Sequence, residues 1–179
     1  MIDAGPNPQA LGEQFLKSLD KSRLGAAASK MFAASIGEIV TILSRSPAHK
    51  HYSLADIEWM VLPPVAAGQF YVVETAHQQQ GFRAPIAFVA WAFVSEEVDA
   101  RLSAQVGGPR VLLRPDEWMS GDVAWLIFAV GHADGVNEAL RWLKEGPFRD
   151  RPLKLVAETE DRKVQSLHDL ALVTRGAAE

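Results

Sequence analysis

The stretch Pro85-Ile86-Ala87-Phe88-Val89-Ala90-Trp91-Ala92-Phe93-Val94 decides how the chain folds, because it is apolar at odd and even positions alike. A strand with solvent on one side alternates apolar and polar residues; one that is apolar on both faces suits the middle of a sheet covered on each side. A buried helix would carry the same run, and periodicity alone does not separate the two. Val123 to Val130 has the same character and reads as a second buried strand.

Between these two stretches, Ser95 followed by Glu96 and Glu97 is a helix start with acid in its first turn, and Val98, Leu102 and Val106 line one side of that helix. Gly107-Gly108-Pro109 breaks it, and a loop leads to Asp122. After the second strand, Asp134 is the expected N-cap of a helix running through Lys144, with Val136, Leu140 and Leu143 facing inward and Arg141 and Lys144 outward. Gly146-Pro147 closes it. Leu153 to Ala157 and Lys163 to Leu167 are expected as two late strands joined by the charged turn Glu158 to Arg162.

Upstream, the pattern predicts a helix over Leu11 to Leu19 and a longer one from about Gly25 to Ser44, where Met31, Ala34, Ile36, Ile39, Val40 and Leu43 share one broad face. The second stops before Ser46-Pro47, because the residue preceding proline is pushed out of the α region. Leu54 to Met60 is expected as a short helix ended by Pro63-Pro64, and Gln69 to Thr75 as a strand. Strands and helices alternate, hairpin-like pairs occur among the strands, and no repeat is present. The expected fold is a single-domain α/β (α+β) sandwich, a mixed sheet with flanking helices. Residues 1–25 read as an N-terminal extension, partly disordered or helical, 26–173 as the domain, and 174–179 as a frayed tail.

The 179 residues, 48% of them hydrophobic, suffice for one ordinary core. A net charge of -4, from 22 acidic and 18 basic residues, is too slight to favour nucleic acid as a partner. With no cysteine, disulfides, thiolate metal sites and a cysteine nucleophile are all excluded. Met1 to Pro6 lacks the basic and apolar regions of a signal peptide, and the longest uncharged, mostly apolar run, Ala84 to Val94, falls well short of the roughly 20 residues that span a bilayer. A cytoplasmic protein without a transmembrane segment is expected. The N-terminal helices offer an apolar face beyond what one core consumes, which leaves room for a homodimer.

Two fragments carry chemistry. Ser46-Pro47-Ala48-His49 sets an imidazole just past a proline-fixed helix end, where side chains are commonly presented to a cleft. Trp118-Met119-Ser120-Gly121-Asp122-Val123-Ala124-Trp125 sets a carboxylate after a permissive glycine at the mouth of a buried strand. Read singly, each has a plain structural alternative: a hydrogen-bonding loop histidine, and a turn aspartate beside core aromatics. His49-x-His51 with Asp56 nearby lacks a convincing third ligand, so no metal is expected.

In order along the chain, Ser46-Pro47-x-His49, Leu62-Pro63, Gln69-Phe70, Pro85-x-Ala87-Phe88 with Trp91-Ala92, Trp118-x-x-Gly121-Asp122-x-x-Trp125 and Asn137-x-Ala139-Leu140 form a set that resembles the RTX toxin-activating lysine acyltransferases. The resemblance covers about residues 36 to 168. It implies a fold similar to GNAT acetyltransferases, acyl carrier protein as bearer of the acyl donor, an internal lysine of an RTX protoxin as acceptor, and catalysis that depends on His49 and Asp122.

The chemistry so implied needs a base. A lysine ammonium with pKa near 10.4 is neutral only about once in 2,500 molecules at pH 7, an apparent penalty of about 4.6 kcal/mol. An imidazole titrating near 6.5 is the side chain best matched to take that proton. Asp122 would fix the tautomer of His49 and stabilise the imidazolium, or position the incoming lysine, and an acyl-histidine route is a third course. Ser46 would orient His49, bind the thioester carbonyl, or simply cap the turn.

No cofactor is expected beyond the acylated carrier protein as co-substrate: the glycine pair Gly107-Gly108 runs into Pro109 and not into a helix, so no pyrophosphate cradle for coenzyme A is evident. Arg141, Lys144, Arg149, Arg151 and Lys154 form the densest basic stretch, either a solvated face or a docking surface for an acidic carrier protein. The chain departs from the family pattern after Gly121-Asp122, where Val123 replaces the usual arginine and Leu126 to Gly131 lacks the second aspartate and the Pro-Phe pair. It also carries about 25 extra residues ahead of the matched region. The rival expectations are a catalytically idle module that binds acyl carrier protein or another partner, and an acyltransferase acting on a different amine.

Overall fold

In a computed structural model, the structure describes residues 21–76, 81, 83–104, 113–156 and 163–172. The expected helix over Leu11 to Leu19, the turn Glu158 to Arg162, Val106, Gly107-Gly108-Pro109, His77 and the tail from Thr174 lie outside those residues. The chain divides into two compact units, Met1–Ala34 and Ser35–Glu179, and the sheet lies wholly in the second.

The decisive apolar stretch is a strand. β2, Arg83–Val94, pairs antiparallel with β1, Phe70–Ala76, on one side and with β3, Val123–Gly131, on the other. β4, Lys154–Val156, joins β3 in parallel, and β5, Val164–Ser166, closes the sheet antiparallel to β4, giving the order β1-β2-β3-β4-β5. The mixed five-stranded sheet with flanking helices is an α+β fold.

β2, an interior strand, is apolar on both sides because each side meets a separate core. Phe88, Ala90, Ala92 and Val94 face one cluster, with Ile39, Ile42 and Leu43, Val98 and Leu102, Trp118, Trp125 and Phe128. Ala87, Val89 and Trp91 face the other, with Ala139, Leu140, Leu143, Phe148 and Leu153. Successive strand residues point to opposite faces, so an uninterrupted apolar run is what a strand buried on both sides requires.

Five helices flank the sheet among the described residues: α1, Lys21–Arg45; α2, Ile57–Met60; α3, Leu62–Ala67; α4, Glu96–Ala104; and α5, Ala133–Glu145. α5 forms the crossover between the parallel strands β3 and β4. Three expectations need correction. Pro63-Pro64 does not end a helix but sits in the first turn of α3, where a missing N–H leaves no hydrogen bond unmade. The cap of α5 is His132 and not Asp134, with no side-chain hydrogen bond. In α1 the buried residues are Ile39, Ile42 and Leu43, while Met31 and Ala34 are exposed.

One segment of α1, Gly25–Arg45, is long and apolar enough by length and composition to cross a membrane, although its C-terminal residues Ile39, Ile42 and Leu43 are committed to the core.

Candidate active site

α1 ends where Pro47 bars Ser46 from the helix, and the chain turns tightly: the amides of His49 and Lys50 both donate to the Ser46 carbonyl, and that of Tyr52 to the His49 carbonyl. This turn brings Ser46 and His49 together. Ser46 Oγ lies 2.9 Å from His49 Nδ1 in a hydrogen bond, and the imidazole, only 5% exposed, meets the Tyr52 ring edge-on with centroids 5.5 Å apart. A loop histidine buried this deeply and oriented from two sides is held, not solvated.

Asp122 lies elsewhere in the chain, in the bend immediately before β3, with an exposed side chain. The turn before it is tied from several directions. The Phe93 amide donates to the Trp118 carbonyl and the Gly121 amide to the Phe93 carbonyl, the Ser95 amide donates to Ser120 Oγ, and Arg151 donates to the Asp122 carbonyl at 2.8 Å. The Arg151 guanidinium also lies over the Phe93 ring, 4.6 Å from its centroid. Gln69 is 3% exposed, and with its amide nitrogen turned toward them it donates to the Trp91 and Trp118 carbonyls, both at 3.3 Å.

The two candidate segments are joined by a chain of rings. Tyr52 contacts Trp59, Trp59 contacts Phe128 on β3, and Phe128 stacks on Trp118, the residue that opens the Asp122 turn. Trp118 and Trp125 are 1% and 2% exposed, so they are core residues and not the walls of an open groove. The Asp56 carboxylate accepts from the Ser53 amide, the Ser53 hydroxyl and the Trp59 indole, and these bonds, the Ser53 amide first, hold it below the usual aspartate range. Among the described residues no three His, Asp or Glu side chains converge as a metal site.

Residues of the basic stretch make internal ties. Lys144 donates to the carbonyls of His168 and Leu170, Arg151 to Asp122, and Lys154 to both Asp99 oxygens at 2.7 and 2.9 Å. Asp99 also accepts from the Trp125 indole at 2.7 Å. Burial pushes the Asp99 carboxyl up, but the Lys154 ammonium and the indole outweigh it and hold the group below the usual range.

Sequence reasoning missed Glu117. Its carboxylate, 3% exposed, takes both terminal nitrogens of Arg101 at 2.9 and 2.6 Å and the Arg114 amide at 2.8 Å. The Arg101 bond, then the Arg114 amide, outweighs burial and holds Glu117 below the ordinary glutamate value of 4.5. A group depressed in the fold contributes stability that is whole above its unfolded value and is lost as pH falls through the folded one. Stability against denaturant therefore drops on acidification below about pH 4.5, and Glu117→Gln flattens that limb of the curve. An unchanged acid limb in the variant would assign the loss to other carboxylates.

An α+β domain with a buried, serine-bonded histidine past one helix and a carboxylate at the mouth of a central strand is the setting of the comparisons with known proteins. The model of the RTX toxin acyltransferase family matches residues 28–170, and the chain belongs to that family. The lysine-acyltransferase RtxC of Vibrio cholerae is 33% identical over 109 residues, 59% of this chain and 65% of that protein. The RTX-I toxin-activating lysine-acyltransferase ApxIC of Actinobacillus pleuropneumoniae is 30% identical over 92 residues, 51% of this chain and 48% of that one. An uncharacterized protein of Synechocystis is 23% identical over 128 residues, 72% of this chain and 82% of its own. The chain thus spans 65% of the length of the first relative and 48% of the second.

Proposed function

We propose that this chain is a protein-lysine acyltransferase that moves a fatty acyl group from the thioester of acyl carrier protein to the ε-amino group of an internal lysine of an RTX-type acceptor. The observation that carries the reading is the His49 imidazole, buried and bonded to Ser46 Oγ at 2.9 Å, within the residues that the family model matches. The reaction belongs to the cytoplasm, where carrier-protein thioesters are made.

In the tautomer whose Nδ1–H donates to Ser46 Oγ, the basic lone pair of the imidazole is at Nε2, and this is the tautomer the reaction requires. The lysine nitrogen adds to the thioester carbonyl, the C–N bond forms and the C–S bond breaks. Two protons leave the nitrogen: one passes through the imidazole to the departing thiolate, and the other is released to solvent. Asp122 supplies the negative charge that either cation in this sequence, the ammonium or the imidazolium, requires.

Ser46 acts on the ring's orientation and not on bonds made or broken, so Ser46→Ala retains activity lowered by roughly 10-fold, at the mild end of the range for positioning partners. Steady-state transfer rates measure this; a loss as deep as that of His49→Ala would place Ser46 on the reacting atoms instead. The reading itself is tested by intact mass of an RTX acceptor incubated with the chain and either acylated carrier protein or acyl-coenzyme A. A mass gain of one acyl group from the carrier-protein thioester supports it. Transfer from coenzyme A alone would overturn the choice of donor, and no gain from either would overturn the reaction.

A further inference from the structure

The turn that ends in Asp122 has an anchor set apart from Asp122 itself. Glu117 closes the 3-10 turn Pro115–Glu117, and its side chain is gripped from α4 by Arg101 in a two-pronged pair, while Arg114 adds its amide and a guanidinium nitrogen at 3.1 Å. The main chain of the same residue extends the hold forward. The Glu117 carbonyl accepts from Ser120 Oγ at 3.0 Å, and Ser120 Oγ in turn accepts from the Ser95 amide at 2.9 Å. One residue later, the Gly121 amide is fixed on the Phe93 carbonyl at 3.1 Å. Glu117 thus joins α4 and the end of β2 to the four residues that lead into Asp122.

Stability alone explains this arrangement poorly. A carboxylate taken almost wholly out of water forfeits hydration that its ion pair roughly repays, so such pairs contribute little net stability against a well-packed apolar substitute. What a two-pronged guanidinium–carboxylate pair does supply is direction, because both groups are planar and the two bonds fix their mutual orientation. Direction matters here, since reacting groups displaced by about 1 Å can lose about 10²-fold in rate.

We propose that Glu117 is a positioning residue for acyl transfer: clamped by Arg101, it sets the 118–122 turn and through it the location of Asp122. The inference rests on the transfer reaction proposed above and on Asp122 taking part in it.

The test combines two readouts on the full chain. Glu117→Gln keeps the shape and removes the charge, and Arg101→Lys keeps the charge and removes the second prong. In transfer from acylated carrier protein to an RTX acceptor, Glu117→Gln is expected to lower kcat by roughly 10- to 100-fold with acceptor KM within about 2-fold, and Arg101→Lys to act in the same direction. Introduced into an Asp122→Asn background, Glu117→Gln should cost less than about 2-fold more, because residues acting through one another are not additive. Amide hydrogen exchange, which needs no activity, should quicken about 10-fold or more at Gly121 and Ser95 while Leu140 and Leu143 in α5 keep wild-type protection. Equal losses in the wild-type and Asp122→Asn backgrounds, or unchanged exchange at Gly121 and Ser95, would overturn the proposal. If the wild-type chain transfers nothing, the transfer reading fails, and the exchange data still decide whether Glu117 fixes the turn.

Discussion

His49→Ala yields a folded chain whose transfer rate falls by about 10² to 10⁴-fold, the usual worth of a positioned general base. The loss has a definite cause. An incoming lysine arrives almost entirely as its ammonium, and without the imidazole the proton has only water to take it. Alanine also abandons the Ser46 hydroxyl and the face of Tyr52, both of which contact the ring. A buried side chain removed from a turn costs stability of about 1 to 2 kcal/mol, which the rest of the core tolerates. Circular dichroism and a thermal melt separate the effects: a near-native melt with lost transfer is the expected pair of results, and native-like transfer would remove His49 from the mechanism.

Gly121→Ala is expected to unseat the same site by a different route. A Cβ at this position would stand 2.5 Å from the Val94 carbonyl oxygen, 2.7 Å from Ser95 Cα and 2.8 Å from Ser95 N. These are backbone atoms at the end of β2, and they cannot swing aside as a side chain would. Either the turn lifts or β2 moves, at about 3 kcal/mol, the upper part of the range for overpacking a tight site. For a chain of this length that is a fall in Tm of roughly 10 °C. Because the next residue is Asp122, transfer should fall further than stability alone accounts for when measured well below the melting point. An unaltered melt would show that the turn is looser than its hydrogen bonds indicate.

Much of the fold was legible because burial on two faces leaves a direct trace. The runs around Phe88 and Phe128 contain nothing polar to show to water, and both proved to be central strands with a core on each side. The helix ending before Pro47 and the one following Ser95 were equally plain, since proline geometry and an acidic first turn act locally. Where reading fell short, the controlling contact is remote in sequence or local rules leave a choice. A proline pair is compatible with the end of one helix or the first turn of the next, and in this fold Pro63-Pro64 takes the second place, with Val61 and Val65 packed in the core. The Met31 face of α1 had the right periodicity but not the right partner, because the core is reached from Ile36 onward.

For the site, it was the resemblance of the ordered motifs that pointed to His49 and Asp122, with Ser46 beside the first, and the fold joins Ser46 and His49 in one hydrogen bond. Glu117 left no such signal. Its partner Arg101 lies 16 residues back along the chain, and an acid ahead of a tryptophan reads as surface until α4 is folded against it. The same holds for Lys154, which reads as a solvated cation but closes on Asp99, 55 residues away.

Whether His49 and Asp122 serve lysine acylation is decided by tandem mass spectrometry of the acceptor. An RTX acceptor is incubated with acylated carrier protein and the wild-type chain, His49→Ala or Asp122→Ala, and every modified residue is mapped. An acyl amide on an internal lysine is expected with the wild-type chain, and its loss with either variant. The same lysine acylated to the same extent by His49→Ala, or no acylated lysine with any of the three, would contradict it.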